Sequence, residues 1–427
     1  MAGSYWIETL GCPKNQVDSD KLVGTLVADG LVAAEAPESA DVVVVNTCAF
    51  VEEARQESID VILGLDAVRA PGARLVVTGC MAERYGSELA EALPEIDSVS
   101  GFGVPVTLSA GIGRRESGVL VPSFDLLNLP RPRSSAPWAY VKVAEGCDRA
   151  CGFCAIPSFR GKQRSRAMDD ILREVDELDA REIVLVAQDL AAYGRDQGVG
   201  ERSIVPLVAE VAARVARVRL LYLYPSDLTD SLIDGICATG VPYFDLSLQH
   251  VSAPLLRRMR RWGDGTRFLD RIEAIRAREP DATFRSNFIV GYPGETEADH
   301  DQLLAFVERA QLDWCGFFTF SREDGTYAAD LEGVVPGGLM MERIAELREL
   351  QDSITASRRD ALIGSSVEVL VDESGRGRTH REAPEIDGIV LIDDQLPVGT
   401  FVKVDIIDAL GPDLVAQGAS LEGYEDE

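Results

Sequence analysis

Three stretches near the N-terminus share one hydropathic pattern, an apolar run that ends in small polar residues and then a cysteine: Tyr5 to Cys12 (YWIETLGC), Asp41 to Cys48 (DVVVVNTC) and Arg74 to Cys80 (RLVVTGC). Each run has the length of a strand. Between them, residues 17–29 and 51–65 repeat apolar positions at three- and four-residue spacing, the period of a helix with one buried face. Strand alternating with helix predicts a parallel sheet covered on both faces. Ligands of such sheets bind beyond the carboxyl ends of the strands, and all three cysteines stand there.

Residues 127–137 (LNLPRPRSSAP) are rich in Pro, Ser and Arg and read as a linker that ends a first α/β domain over residues 1–126. Six apolar runs follow, at residues 139–144, 182–187, 218–223, 243–248, 283–290 and 313–320, separated by helical segments such as 168–179, 266–277 and 297–310. Six β/α units predict an incomplete version of the eight-fold barrel, a (β/α)6 barrel over residues 138–356, again with its chemistry at the strand carboxyl ends. From residue 357 to residue 427 the runs shorten (366–371, 388–392, 400–407) and Gly, Pro and Asp turns separate them, which predicts a small antiparallel β-barrel. The tail 422–427 reads as solvated.

With 46% hydrophobic residues among 427, the chain can build cores and is not disordered. Its net charge is −29, no third of it is basic, and residues 358–427 hold 6 basic against 16 acidic side chains, a net −10. A protein that grips nucleic acid by neutralising phosphates presents a basic face, so a basic partner suits this chain better. Residues 1–14 lack the charged and then apolar stretches of a secretory signal, and no apolar run approaches the ~18 residues of a membrane span. A cytoplasmic protein without membrane association is expected. In that compartment thiols stay reduced, so clustered cysteines serve metals or catalysis more often than disulfides.

The strongest local signal is Cys147-x₃-Cys151-x₂-Cys154, directly after the run at 139–144. Its neighbours, Gly146, Asp148, Arg149 and Gly152, are not those of buried core thiols. Structural zinc wants four ligands in two spaced pairs, and no fourth Cys or His lies nearby. An iron–sulfur cubane also takes four thiolates, so three leave one iron open to a reactant. Cys12, Cys48 and Cys80 make a second three-thiolate site plausible, although each alone would be an ordinary core or loop cysteine. Cys237 and Cys315 sit in apolar segments and read as core; His250, His300 and His380 are too scattered for a metal or triad.

CxxxCxxC after the first strand of a β/α barrel resembles the radical S-adenosylmethionine (SAM) superfamily. The resemblance implies a [4Fe–4S] cluster on Cys147, Cys151 and Cys154 whose open iron chelates SAM, with Phe153 the aromatic usual between the last two ligands. It further implies that Gln188 and Asp189, after the second barrel strand, meet the methionine amino group, a helix cap being the alternative of equal weight. Gly291, Tyr292 and Gly294, in GYPGET, resemble the glycine-rich segment beside the nucleoside, and the segment lacks the Lys-Ser/Thr of a phosphate-binding loop. Arg160, Lys162, Arg164 and Arg166 alternate after the cluster motif and would, in an extended segment, face carboxylates together; a solvated loop is the other reading.

The order of parts, with TLGCPKNQVDSD, VVNTCAF, VTGCMAERY and FIVGYPGET, is similar to the methylthiotransferases over essentially the whole chain. That likeness implies a second [4Fe–4S] cluster on Cys12, Cys48 and Cys80 that holds the sulfur to be transferred, no prominent catalytic acid or base, an OB-like TRAM barrel at the C-terminus, and an electron donor of the flavodoxin type. The family divides between adenosine in tRNA and an aspartate of the twelfth protein of the small ribosomal subunit. The acidic C-terminal module selects the basic protein, as do YLYPSDLTD and GRTHREAPEIDG, which resemble the ribosomal-protein (RimO) branch; tRNA is not expected. Ser286 and Asn287 depart from two threonines often found before FIVG. Arg257, Arg258, Arg260 and Arg261 form the densest basic patch, with a solvated helix face as the default, and Glu382, Glu385 and Asp387 are either docking residues for the basic substrate or turn residues. The rival readings are the tRNA enzyme of the same family and a non-catalytic zinc-binding scaffold.

Overall fold

The computed structural model describes residues 3–102, 104, 106, 126–198 and 204–420. The expected solvated tail lies outside these residues.

In the first domain the strands Val32–Ala33, Ser4–Thr9, Val42–Thr47, Arg74–Gly79 and Ser98–Val99 lie side by side in that order, all parallel. Val42–Thr47 is central and every residue of it is buried, which is why its first four residues are an unbroken run of valine with no alternation. The two outermost strands are two residues long and carry too little pattern to be read from sequence. Register does the decisive work: Thr9 pairs with Asn46 and Asn46 with Thr78. The three cysteines follow these paired residues within three positions, so the ladder brings them to one edge. Helix Pro13–Ala28 starts immediately after Cys12, with Pro13 at the first turn where its missing N–H costs nothing, and helix Cys80–Ala92 starts on Cys80 itself.

The six barrel runs are all strands. Trp138–Lys142, Glu182–Val186 and Arg217–Leu220 form one parallel sheet, Tyr243–Gln249, Thr283–Val290 and Trp314–Thr319 another, and the Leu223–Leu246 bridge joins them into one curved wall. Helix Gly337–Asp360 packs along its last strands and runs unbroken through position 357, because RIAELRELQDSITASRRD has no breaker before Gly364.

At the C-terminus Ser366–Glu373, Arg376–Arg378, Val390–Leu391, Asp413–Ala416 and Phe401–Leu410 close a small barrel. It is antiparallel except for the Val390–Leu391 pairing with Asp413–Ala416, which is parallel. RGR and DLVA are too short to announce themselves as strands.

The three parts are tied together by polar contacts. The segment 127–137 is pinned, not free: the buried Arg131 guanidinium donates to Asp20 of the first helix at 2.7 Å and to the Tyr140 carbonyl of the first barrel strand. Residues 379–389 of the C-terminal module close the amino-terminal end of the central barrel. Tyr140 Oη donates to the Pro384 carbonyl at 2.8 Å, Tyr243 Oη to Asp387 at 2.6 Å, and Trp314 Nε1 to the Arg381 carbonyl at 2.8 Å. Glu382 is fully buried on Thr379 and Arg359, and Asp387 on Arg285, so these two carboxylates plug the barrel and are not free to meet a substrate. Glu385, between them, is exposed.

Candidate active site between two cysteine trios

All eight cysteines are free thiols. At the edge of the N-terminal sheet, a Cβ built on Gly11 would lie 3.0 Å from the Cys48 sulfur, so the turn before Cys12 and the end of the central strand touch. The Cys80 sulfur lies 3.6 Å from Asn15 Oδ1, and Asn15 Nδ2 donates to the carbonyls of Leu10 and Thr47. One buried asparagine thus ties the ends of all three strands. Gly79 makes the last turn possible: its φ is +89°, and a side chain there would strike the Asn46 amide oxygen and the Thr47 carbonyl. Burial, with the neighbouring Cys80 and Cys12, pushes the Cys48 thiol up to about 12, and burial raises Cys80 as well. Burial also opposes ionisation of Cys12. There, Lys14, Arg160 and the backbone N–H groups of the opening helical turn outweigh it and hold the thiol below its ordinary range.

The second trio is built within one loop. Gly146 precedes Cys147 at φ +79°, where a side chain would run into the Lys162 carbonyl, and the Cys147 N–H donates to Gly161 at 3.1 Å. Gly152 donates to the Met259 carbonyl at 2.8 Å and accepts from the Ala328 N–H at 2.7 Å, so Cys151 and Cys154 are fixed from outside the motif. Burial pushes Cys147 up to about 11 and Cys154 up to about 12. Phe153 packs half-buried against the barrel core.

Of the other residues read from sequence, Gln188 and Asp189 are brought to this loop. Gln188 Nε2 donates to Glu145 at 2.6 Å, and Asp189 accepts from Arg149 Nε at 2.6 Å. Neither side chain caps a helix: Asp189 stands at the N-cap of a short 3₁₀ turn, whose Ala192 N–H reaches its backbone carbonyl at 3.3 Å, but its carboxylate makes no bond to the turn. Gln188 Oε1 and the second oxygen of Asp189 are buried with no hydrogen-bond donor among the described residues. Tyr292 reaches the same loop, since a Cβ on Gly152 would sit 2.8 Å from its hydroxyl, which donates to the Arg258 carbonyl at 3.1 Å. Gly291 and Gly294 lie against Met340 and the Arg258 guanidinium, so helix Gly337–Asp360 and the arginine turn occupy their open faces.

The basic residues sort differently from their sequence pattern. Arg160 and Arg166 are buried while Lys162 and Arg164 are exposed, so the alternating set does not point one way. Arg160 is the hub. It donates to both Glu145 oxygens at 2.9 Å, to Asn15 Oδ1 at 2.8 Å and to the Cys80 sulfur at 3.0 Å, and lies 3.4 Å from Asp18. Lys142, also buried, pairs with Asp18 and with Glu145 at 2.7 Å. Two buried cations therefore face two buried carboxylates across the seam, and through Glu145 the network continues to Gln188. In the Arg257–Arg261 patch only Arg261 is buried; it donates to the Cys151 sulfur at 3.2 Å and stacks on Tyr224.

Sequence reading assigned no role to Asp18, Glu145, Arg149 or Tyr224, because none belongs to a spaced motif; the available signals were that Asp18, Glu145 and Arg149 lie within a few residues of a cysteine and that Asp18 and Tyr224 fall inside the segments TLGCPKNQVDSD and YLYPSDLTD. Cys237 and Cys315 pack half-buried against the core, as their apolar segments suggest. His250 is fully buried, its Nδ1 accepting from the Ser252 N–H at 3.1 Å while Nε2 has no partner among the described residues, so it is not solvated and is only half satisfied. Ser286 bonds the Leu246 carbonyl and Asn287 Oδ1 is buried without a donor among the described residues. Among the described residues, no three His, Cys, Asp or Glu side chains form a group that could hold a single metal ion.

Three family models match the chain: Uncharacterized protein family UPF0004 over residues 4–101, Radical SAM superfamily over 141–307 and TRAM domain over 363–418. A ribosomal protein uS12 methylthiotransferase RimO from Streptomyces coelicolor is 41% identical over 470 residues, covering 96% of this chain and 95% of the relative. Its namesake from Moorella thermoacetica is 44% identical, covering 93% and 95%. The chain belongs to the RimO family of radical SAM enzymes. Among solved structures, the radical S-adenosylmethionine methyltransferase TsrM from Kitasatospora setae matches 77% of each chain at 15% identity and a TM-score of 0.48. The three matched parts follow one another along this RimO-family chain, and its described residues include no helix long and apolar enough to cross a membrane.

Proposed function

We propose that this chain is a methylthiotransferase that replaces a hydrogen on the β-carbon of an aspartate of ribosomal protein uS12 with a methylthio group. The observation that carries the reading is the pair of free-thiol trios, Cys12, Cys48, Cys80 and Cys147, Cys151, Cys154, joined across a buried seam by Arg160 and Glu145. Each trio supplies three thiolates, one short of a closed cubane, so the donor sets fit two [4Fe–4S] clusters with an open corner each. When bound, the cluster and SAM at the barrel loop supply one-electron chemistry able to take hydrogen from an unactivated carbon, and the cluster at the sheet edge supplies sulfur.

The chain's own groups bind and orient. Cys12 and Cys80 lie at helix N-termini, where oriented N–H groups favour the anionic form a metal needs. Gln188 Oε1 and the free oxygen of Asp189 are buried acceptors awaiting donors, which suits the ammonium of a methionine moiety, and Arg149, held between Asp189 and Asp227 over the Tyr224 ring, suits its carboxylate. Tyr292 and Phe153 steady the cluster loop. Gly291 and Gly294 let helix Gly337–Asp360 and Arg258 close behind it.

The acidic module at residues 358–427 supports a basic protein over tRNA as the substrate. A reducing cytoplasm and a flavodoxin-type donor complete the proposal. The test is anaerobic incubation of reconstituted protein with SAM, reductant, sulfide and either uS12 or tRNA, followed by mass analysis of both products. A uS12 gain of one methylthio group, replacing hydrogen, is expected; modified nucleoside with unmodified uS12 overturns the substrate.

A further inference from the structure

The charges around the two trios are matched almost everywhere. Arg160 faces Glu145 and Asp18, Lys142 faces the same pair, and Arg149 faces Asp189 and Asp227. Arg261 has a different occupation, the Cys151 sulfur and the Ser247 carbonyl. Lys14 stands apart. It is 7% exposed, yet among the described residues no carboxylate lies within ion-pair distance of it, and its ammonium rests on the ring of Tyr222, 3.3 Å from the centroid. Asp245 feels its charge, but that carboxylate is already engaged by the Tyr222 N–H at 2.8 Å.

The position of this ammonium is as telling as its lack of an anion. Lys14 is two residues beyond Cys12, in the first turn of its helix, while Tyr222 follows the third barrel strand at the carboxyl end. Lys14 therefore spans from the sulfur-carrying edge of the sheet to the mouth of the barrel. Tyr222 adopts φ +65°, a conformation that side chains other than glycine avoid, and its backbone is held there by Asp245 and by the Leu190 N–H. Such strain persists only where the surroundings enforce it, and here it presents the ring face to the lysine.

A cation kept nearly dry on an aromatic face is stabilised less fully than by an anion. A side-chain carboxylate arriving between the two trios would find in Lys14 a buried ammonium with no carboxylate partner among the described residues. We propose that Lys14 receives the carboxylate of the substrate aspartate and thereby selects aspartate and sets its β-carbon between the two sites. The inference rests on the aspartate reading above and adds the group that recognises it.

The test uses the reconstituted enzyme with SAM and two peptides from the modified loop of uS12, one with the target aspartate and one with asparagine in its place. A charge-assisted contact favours the aspartate peptide by about tenfold or more in Kd. Lys14→Met should bind both peptides with the affinity wild type shows for asparagine and Lys14→Arg should keep the preference, with affinities compared on protein of equal iron content because Lys14 also acts on Cys12. If Lys14→Met disturbs iron loading, Lys14→Gln against Lys14→Arg gives the same contrast with a polar side chain. Discrimination that survives in both neutral variants overturns the role of Lys14. If wild type binds neither peptide while modifying tRNA, the substrate reading fails instead, and the two failures are told apart.

Discussion

The two cysteine trios bring three free thiols together by opposite routes. Cys147, Cys151 and Cys154 come from one loop, whereas Cys12, Cys48 and Cys80 come from three strands and meet only because a parallel ladder pairs Thr9 with Asn46 and Asn46 with Thr78. Both have a positive-φ glycine directly before a ligand, Gly146 in one and Gly79 in the other, and both have one buried guanidinium on one sulfur, Arg261 on Cys151 and Arg160 on Cys80. The local site can survive damage to the sheet. The non-local site is only as sound as the register that assembles it.

Removing one ligand from each is the largest expected effect. Cys48→Ala and Cys151→Ala should each cut iron from about eight to about four per chain, as whole cubanes are lost. Mössbauer spectra should show the other cluster unchanged in both. A substitution that strips both sites would break the separation.

The glycines sharpen the contrast between routes. Alanine at either must leave the left-handed region or collide with backbone, at a cost of about 1–3 kcal/mol from strain alone. Gly79→Ala should loosen the sheet and empty its trio while barrel iron remains; Gly146→Ala should empty the loop trio with the sheet intact. Urea denaturation followed beside iron analysis checks both.

The arginines should differ in degree. Arg160→Met leaves Glu145 and Asp18 to Lys142 alone and should cost about 3–5 kcal/mol, the usual penalty for breaking a buried ion pair. Arg261→Met removes two hydrogen bonds and should cost about 1–3 kcal/mol. Each loss also takes an N–H donor and positive charge from a sulfur, so the reduction potential of the adjacent cluster should fall, measured by EPR-monitored titration. Because Arg160 also touches Glu145, its variant should further weaken SAM binding through Gln188. An Arg261 variant as destabilised as the Arg160 variant would contradict the seam.

How much of this was legible in the sequence follows the same division. The CxxxCxxC loop is visible as spacing, and the six barrel strands as apolar runs, because both are local properties. The sheet trio is visible only as a repeated strand ending, since no local feature tells Cys48 from a core cysteine. The seam is invisible: Asp18 and Glu145 look like any surface carboxylates, and only their burial against Lys142 and Arg160 gives them meaning. The acidic stretch 379–389 misleads for the same reason. Glu382 and Asp387 suggest a docking surface by composition, yet they are consumed inside the barrel by Arg359 and Arg285.

Acid should separate the two regions as well. Among residues 4–101, which carry the sheet trio, there is no histidine, whereas the barrel holds His250 and the plug His380. Burial pushes both down to about 4, in His250 against the pull of Asp299. The unfolded chain therefore binds protons on them near pH 6.5 while the folded chain does not. Stability must fall as pH drops from about 6.5 toward 4 and level off below, by up to about 3 kcal/mol for His250 at about 1.4 kcal/mol per pKa unit. Denaturation of the barrel should show this slope, and His250→Gln should flatten it. The sheet domain should show none of it, so an equal slope in both regions would mean that they unfold as one cooperative unit through the Arg160 seam.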